Sequence, residues 1–382
     1  MTSRSIDATP GAPVLFATRI ALTAADGARA ALMRQICRFR GLRPLIVDPR
    51  RRLIALQLAA LLAASLLALR LPLVSLWLGA ALFGVPHVIA GVRTVAIRRR
   101  VSRVTLIAAA LGGLVGIAQL AGAGDGALRA YVVLFAVAIA WEIRRARRDP
   151  LLTAAALAAL GVTAAAAFAS PQLAVLVLAH LHGLASLATF AILARRRRLP
   201  AWPLVIGAMA LGALAVSGAL DGAMAATLYA PRGAARSIVA EAVGSALPHA
   251  SAALFRRALF LYALGQSLHF AVWLKLLPEV DRPATVPKPF RRAFLDFAAD
   301  FKAWALPLLL LAGGAIGIML VGGGLAREVY FALTYFHVGL EGAALAGIAL
   351  GRRAQEQHRK DLALPESHPV ASAPALDVQV AA

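Results

Sequence analysis

Long apolar runs separated by short basic clusters make up most of this chain. The runs fall at residues 53–70, 73–93, 103–122, 127–143, 151–169, 172–194, 201–219, 254–275, 303–321 and 328–350. At about 1.5 Å of rise per residue, each suffices for a helix crossing a hydrocarbon core about 30 Å thick. The pattern predicts an all-α fold, a polytopic helical membrane bundle of about ten transmembrane helices.

The flanks of the runs give an independent test, because Lys and Arg in short loops accumulate on the cytoplasmic side. Arg50, Arg51 and Arg52 precede the first run, and Arg98, Arg99 and Arg100 follow the second. Arg144, Arg145, Arg147 and Arg148 follow the fourth, Arg195 to Arg198 the sixth, Lys275 to Arg292 the eighth, and Arg352 and Arg353 the tenth. The opposite connections, at residues 122–126, 170–172 and 322–324, are short and poor in charge. This asymmetry places the N- and C-termini in the cytoplasm of an integral membrane protein, expected in a bacterial cytoplasmic (inner) membrane. Arg232, Arg236, Arg256 and Arg257 are the exceptions on the outer side.

Three segments lie outside this pattern or interrupt it. Residues 1–48 form an N-terminal cytoplasmic or interfacial segment before the transmembrane helical domain of 49–353. There Leu32, Ile36 and Phe39 share one helical face and Arg29, Arg34 and Arg38 take the others. That arrangement predicts a helix on the membrane surface, with a disordered arm as the alternative. Within the domain, Pro289 opens a segment in which Phe290, Phe294, Phe297 and Phe301 recur at helical spacing, predicting an interfacial helix. The outer connection 221–251, with Pro231 and Pro248, is long enough to fold back as a lid or re-entrant segment. Residues 354–382 are polar and rich in Pro and Ala, the composition of a disordered tail. No internal repeat is evident.

Composition sharpens the picture. Mean hydropathy is +0.76 and hydrophobic residues reach 60%, against roughly 45–50% in soluble domains. Forty Lys and Arg against eighteen Asp and Glu give a net charge of +22. Because the basic residues cluster between apolar runs, they read as topology determinants and contacts to membrane lipids, with no nucleic-acid partner. A single cysteine, Cys37, excludes an intramolecular disulfide framework and any Cys-based zinc or iron–sulfur site. The first long apolar run begins only near Leu53, so no cleavable signal is expected.

Against this background the histidines stand out. Almost every arginine is kept out of the apolar runs, yet His87, His180, His182, His269 and His337 lie within them, and His249 lies at the mouth of the eighth. Ionisable groups at membrane depth cost free energy and tend to serve a function. Histidine can be neutral there and still bind a metal or carry protons. By rise per residue, His182 and His337 fall near the midplane and His87 and His269 somewhat toward the cytoplasmic half, so four helices can bring imidazoles into one layer. His180 and His182 are two apart and point to different sides, so one of them faces a common centre. Glu341, one turn from His337, and Gln266, one turn before His269, are the candidate catalytic partners. Glu341 either ligates or orients a ligand.

Taken singly, each histidine has a simpler reading as an interhelical hydrogen bond with no ligand. The set points to a shared metal or haem site; proton or solute translocation and a purely structural role remain open. Gly84, Gly91 and Gly183 read first as helix-packing contacts, and Trp273 as a core or interfacial aromatic. Histidine ligands with an optional carboxylate suit non-haem iron (Fe), copper (Cu) or zinc (Zn) and argue against magnesium or calcium. Haem requires one axial histidine or two on facing helices. Neither a Gly-x-Ser-x-Gly elbow nor a phosphate-binding glycine motif is present.

Phe83-Gly84-Val85-Pro86-His87 resembles the Phe-Gly-(Leu/Ile)-Pro-His-Gly motif of the Brp/Blh family of membrane β-carotene dioxygenases. His182-Gly183 and the aromatic stretch Tyr262 to Trp273 around His269 are similar to two further elements of that family. The resemblance implies non-haem iron held by His87, His182 and His269. The chain departs from the pattern at Val88, Gly91 and Val92 and has more apolar runs, so carotene is not carried over as the substrate. The function expected is a membrane-embedded, histidine-ligated metal oxidoreductase or oxygenase acting on an apolar lipid or isoprenoid small-molecule substrate. A proton-coupled transporter and a membrane haem electron-transfer protein are the alternatives.

Overall fold

Prolines and small polar caps divide the chain into helices. Pro49, Pro72, Pro150 and Pro171 each begin one, at the position where a missing N–H costs nothing. Asp48 accepts the Arg50 N–H at 2.8 Å, Ser170 that of Leu173 at 3.4 Å, and Ser251 that of Leu254 at 3.2 Å, each relieving an otherwise unpaired donor of the first turn. Gly218 ends the Trp202–Ser217 helix at φ +85°, a left-handed C-terminal position that favours glycine. A computed structural model describes residues 12–94, 103–122, 124–145, 150–225, 251–281, 289–321 and 334–342. Every regular element among them is helical.

A helix lies at each of the ten apolar runs. Two of them, Pro49–Arg70 and Ala252–Val280, are long and apolar enough to cross a membrane. Shorter apolar helices lie at Arg103–Ala118, Arg129–Ala138, Leu157–Ala169 and Trp202–Ser217. Within Pro49–Arg70, Gln57, Ala64, Ser65 and Ala68 are buried while Leu58, Leu62 and Leu66 are exposed. Leu53 is buried as well, and Leu56, Leu61 and Leu69 pack on the core, so small, polar and leucine side chains share the inward face.

The Ala252–Ala271 helix is the hub. It packs against Pro49–Arg70, Pro72–Gly79 and Pro171–Arg196, and Leu259, Phe260, Ala263, Leu264 and Leu268 lie in the largest apolar core. A second core around Tyr131, Val132, Ala166 and Ala167 joins the next helices in series. Two of the π-helical turns lie at the histidine helices. One, Ala80–Gly84, directly precedes the His87 helix; the other, Val272–Leu276, directly follows His269. Such turns shift side-chain register and are frequent at functional sites.

The N-terminal segment is helical over Ala12–Arg38, with Leu32 exposed. It packs on the Phe290–Phe301 helix, which starts after Pro289 as its spacing predicts. Asp26 caps that helix by accepting the N–H groups of Phe290 and Arg291 at 2.6 and 3.1 Å. Asp300 in turn pairs with Arg93 at 2.6 Å, tying this helix pair to the end of the His87 helix. One of the outer-side exceptions is also accounted for: Arg257 makes a two-pronged pair with Asp221 at 2.9 and 2.5 Å. The Arg257 hydrogen bond, foremost, and its charge hold the Asp221 carboxyl below the usual carboxylate range. The basic clusters at 98–100 and 352–353, most of the 221–251 connection with His249, the 322–324 turn and the 354–382 tail lie outside the described residues.

Candidate metal centre

Local winding aims the first histidine. After the π turn, the Val85–Gly91 helix places His87 Nδ1 3.2 Å from the carbonyl of Phe83. A carbonyl can only accept, so Nδ1 carries the proton and Nε2 presents a lone pair. That Nε2 lies 2.7 Å from His337 Nε2. On the hub helix, His269 sends Nδ1 to within 2.6 Å of Ser186 Oγ. Its Nε2 is buried without a partner.

Glycines let the four helices close around this point. A Cβ at Gly183, beside His182, would lie 3.4 Å from the backbone of Gly265, so the His182 and His269 helices meet almost backbone to backbone. A Cβ at Gly91 would lie 3.2 Å from the His337 ring and 3.4 Å from Glu341 Oε1. Gly91 therefore seats site residues as well as packing helices.

His87, His182, His269 and His337 thus converge from four helices, their ligand atoms all within 4.8 Å of one another, and could hold a metal ion. His87, His269 and His337 are at most 2% exposed, and the His182 side chain is nearly as buried. Metal–imidazole bonds of about 2.0–2.1 Å put neighbouring nitrogens about 2.9 Å apart at a right angle and about 4.1 Å apart across the ion. The 4.8 Å limit lies somewhat above that scale, so the rings would have to draw together slightly around an ion. His337 Nδ1 and Glu341 Oε1 are also buried without hydrogen bonds. Glu341 Oε1 is 2.7 Å from His337 Nε2, but the two are not aligned for a hydrogen bond. Lone pairs left over in one buried spot are costly unless an ion takes them.

The other expected residues fall into place around this set. Glu341 lies beside it: Oε2 is 3.6 Å from His182 Nε2, so the carboxylate spans two of the imidazoles. His180, the candidate ligand set against His182, is not among the converging rings; it faces Tyr262 at 5.8 Å between centroids and lines a cleft with Val177, Leu254 and Arg257. The reason is helical geometry, since two residues along a helix rotate a side chain to nearly the opposite face. Gln266 is half-buried one turn before His269. Sequence reasoning passed over Ser186, although a serine four residues after His182 in an otherwise apolar helix was a signal.

The ring centroids of the four histidines lie 4.2 to 5.8 Å apart where they pair. That spacing suits an ion and leaves no slot for a macrocycle. No family model, curated protein or solved structure matches this chain.

Proposed function

We propose that this chain is an integral membrane oxidoreductase, an oxygenase acting on an apolar lipid or isoprenoid substrate, with non-haem iron held by His87, His182, His269 and His337. The observation that carries the reading is the convergence of four buried imidazoles from separate helices with lone pairs left unpaired. Iron, when bound, would supply activation of dioxygen. The chain's own residues do the rest. Phe270 packs against His87, with Phe83 behind Phe270, and the apolar helices exclude water from the centre. Glu341 can hold or accept a proton beside His337. The large apolar residues facing outward, such as Leu58, Leu62, Leu66, Ile206, Met209 and Leu310, support a lipid environment from which an apolar substrate reaches the site.

Elemental analysis of detergent-purified protein tests this reading. The expected result is one iron per chain; metal-free protein of full activity overturns it. The contact chain His87–His337–Glu341 favours one competitor, a proton relay in a transporter, which requires pH-dependent solute flux in liposomes and no metal. A haem protein would show a Soret band.

The proposed orientation has its own test, because Cys37 is the sole cysteine. With the termini in the cytoplasm, a membrane-impermeant maleimide labels Cys37 in inside-out vesicles and not in right-side-out ones. The reverse result overturns the topology.

A further inference from the structure

We infer that Ser186 is a positioning residue of this centre: its hydroxyl locks His269 in the Nδ1–H tautomer, leaving Nε2 free for a metal, and ties that ring to the backbone of His182. The inference rests on the metal-site reading above and adds to it the group that prepares one ligand.

Ser186 Oγ has three neighbours within hydrogen-bond reach. They are the carbonyl of His182 at 3.1 Å, His269 Nδ1 at 2.6 Å and the Trp273 indole N–H at 3.2 Å. An indole only donates, a carbonyl only accepts, and a hydroxyl has one proton and two lone pairs. Trp273 therefore donates toward Oγ, and the same N–H also lies within reach of Glu341. The serine proton has two destinations. If it goes to the His182 carbonyl, His269 Nδ1–H donates to the second lone pair, and all three contacts are hydrogen bonds.

If the proton goes instead to Nδ1, the His182 contact is lost and the hydrogen of His269 moves to Nε2. That nitrogen is buried without a partner among the described residues and gains nothing by carrying the hydrogen, so the lost His182 hydrogen bond decides. The first arrangement prevails, and it turns the lone pair of Nε2 toward the other imidazoles. The winding supplies the third partner. Trp273 follows His269 by one turn, at the start of the π-helical Val272–Leu276 segment, and there its indole reaches Oγ. One hydroxyl thus joins the helices of two ligands, as partners of metal-bound histidines commonly do.

The test uses the full-length protein in detergent, with zinc(II) as a diamagnetic probe and a chelator in competition. Ser186→Ala is expected to weaken zinc binding by about 10–100-fold. Ser186→Thr, which keeps the hydroxyl, is expected to restore affinity to near the wild-type value. Trp273→Phe, which removes only the indole donor, is expected to fall between them. In ¹⁵N-histidine-labelled, zinc-loaded wild type, His269 is expected to show a protonated Nδ1 and a zinc-bound Nε2. A merely structural serine would not set this signature. Unchanged affinity in Ser186→Ala, or zinc on His269 Nδ1, overturns the inference while the metal site stands. No zinc uptake by the wild type overturns the metal reading itself.

Discussion

Two buried polar clusters among the described residues differ in what they leave unpaired. Near the start of the Pro49–Arg70 helix, Arg52 is paired with Glu279 at 2.6 Å and also donates to the carbonyl of Ile46. Gln57, fully buried, donates to the carbonyl of Pro200 at 2.7 Å and accepts the N–H of Leu204 at 3.2 Å. None of these three side chains is left with an unpartnered buried atom. In the histidine layer, by contrast, His269 Nε2, His337 Nδ1 and Glu341 Oε1 are all orphaned. The first cluster clamps helix ends and is complete within the chain. The second leaves three polar atoms unpaired among the described residues, where a metal ion could be held. Burial and polarity are common to both, so the discriminating feature is which polar atoms are left unpaired.

Breaking each cluster in turn sharpens that contrast. The largest effect is expected from His269→Ala or His87→Ala, which should take metal content from one ion per chain to near zero while the helical circular-dichroism signal persists. Next comes Arg52→Ala, which strands the Glu279 charge and should cost about 3–5 kcal/mol of stability, read as a lower thermal midpoint in detergent. Folded Arg52→Ala protein should still bind metal with wild-type affinity, and a parallel loss of metal would show that the clusters are not independent. Gly91→Ala crowds His337 and Glu341 and should cost about 1 kcal/mol, at the low end for overpacking, with a measurable drop in metal affinity. The smallest effect belongs to His180→Ala, which should leave metal content and affinity unchanged. Loss of metal in that variant would return His180 to the ligand set.

The helices themselves were legible in the chain, because apolar length and proline punctuation are local properties. Each apolar run holds a helix, and the Phe290–Phe301 helix begins after Pro289 as its phenylalanine spacing foretold. The four converging histidines were legible as candidates because an imidazole inside an apolar run is costly wherever it points. The choice between His180 and His182 was not legible, since helical spacing says only that they diverge. Ser186 was missed because its importance lies in meeting His269 and Trp273, 83 and 87 residues away.

The sequence by itself determined that the chain is helical and apolar, and that histidines are its unusual inward cargo. Only the tertiary structure decided which of them meet, that Gly91 and Gly183 admit the close approach, and which ring nitrogens carry protons. The physical reason is range. Hydrophobic length and helix caps act within a few residues, whereas an unpaired lone pair is defined by everything packed around it, and those neighbours come from helices hundreds of residues apart.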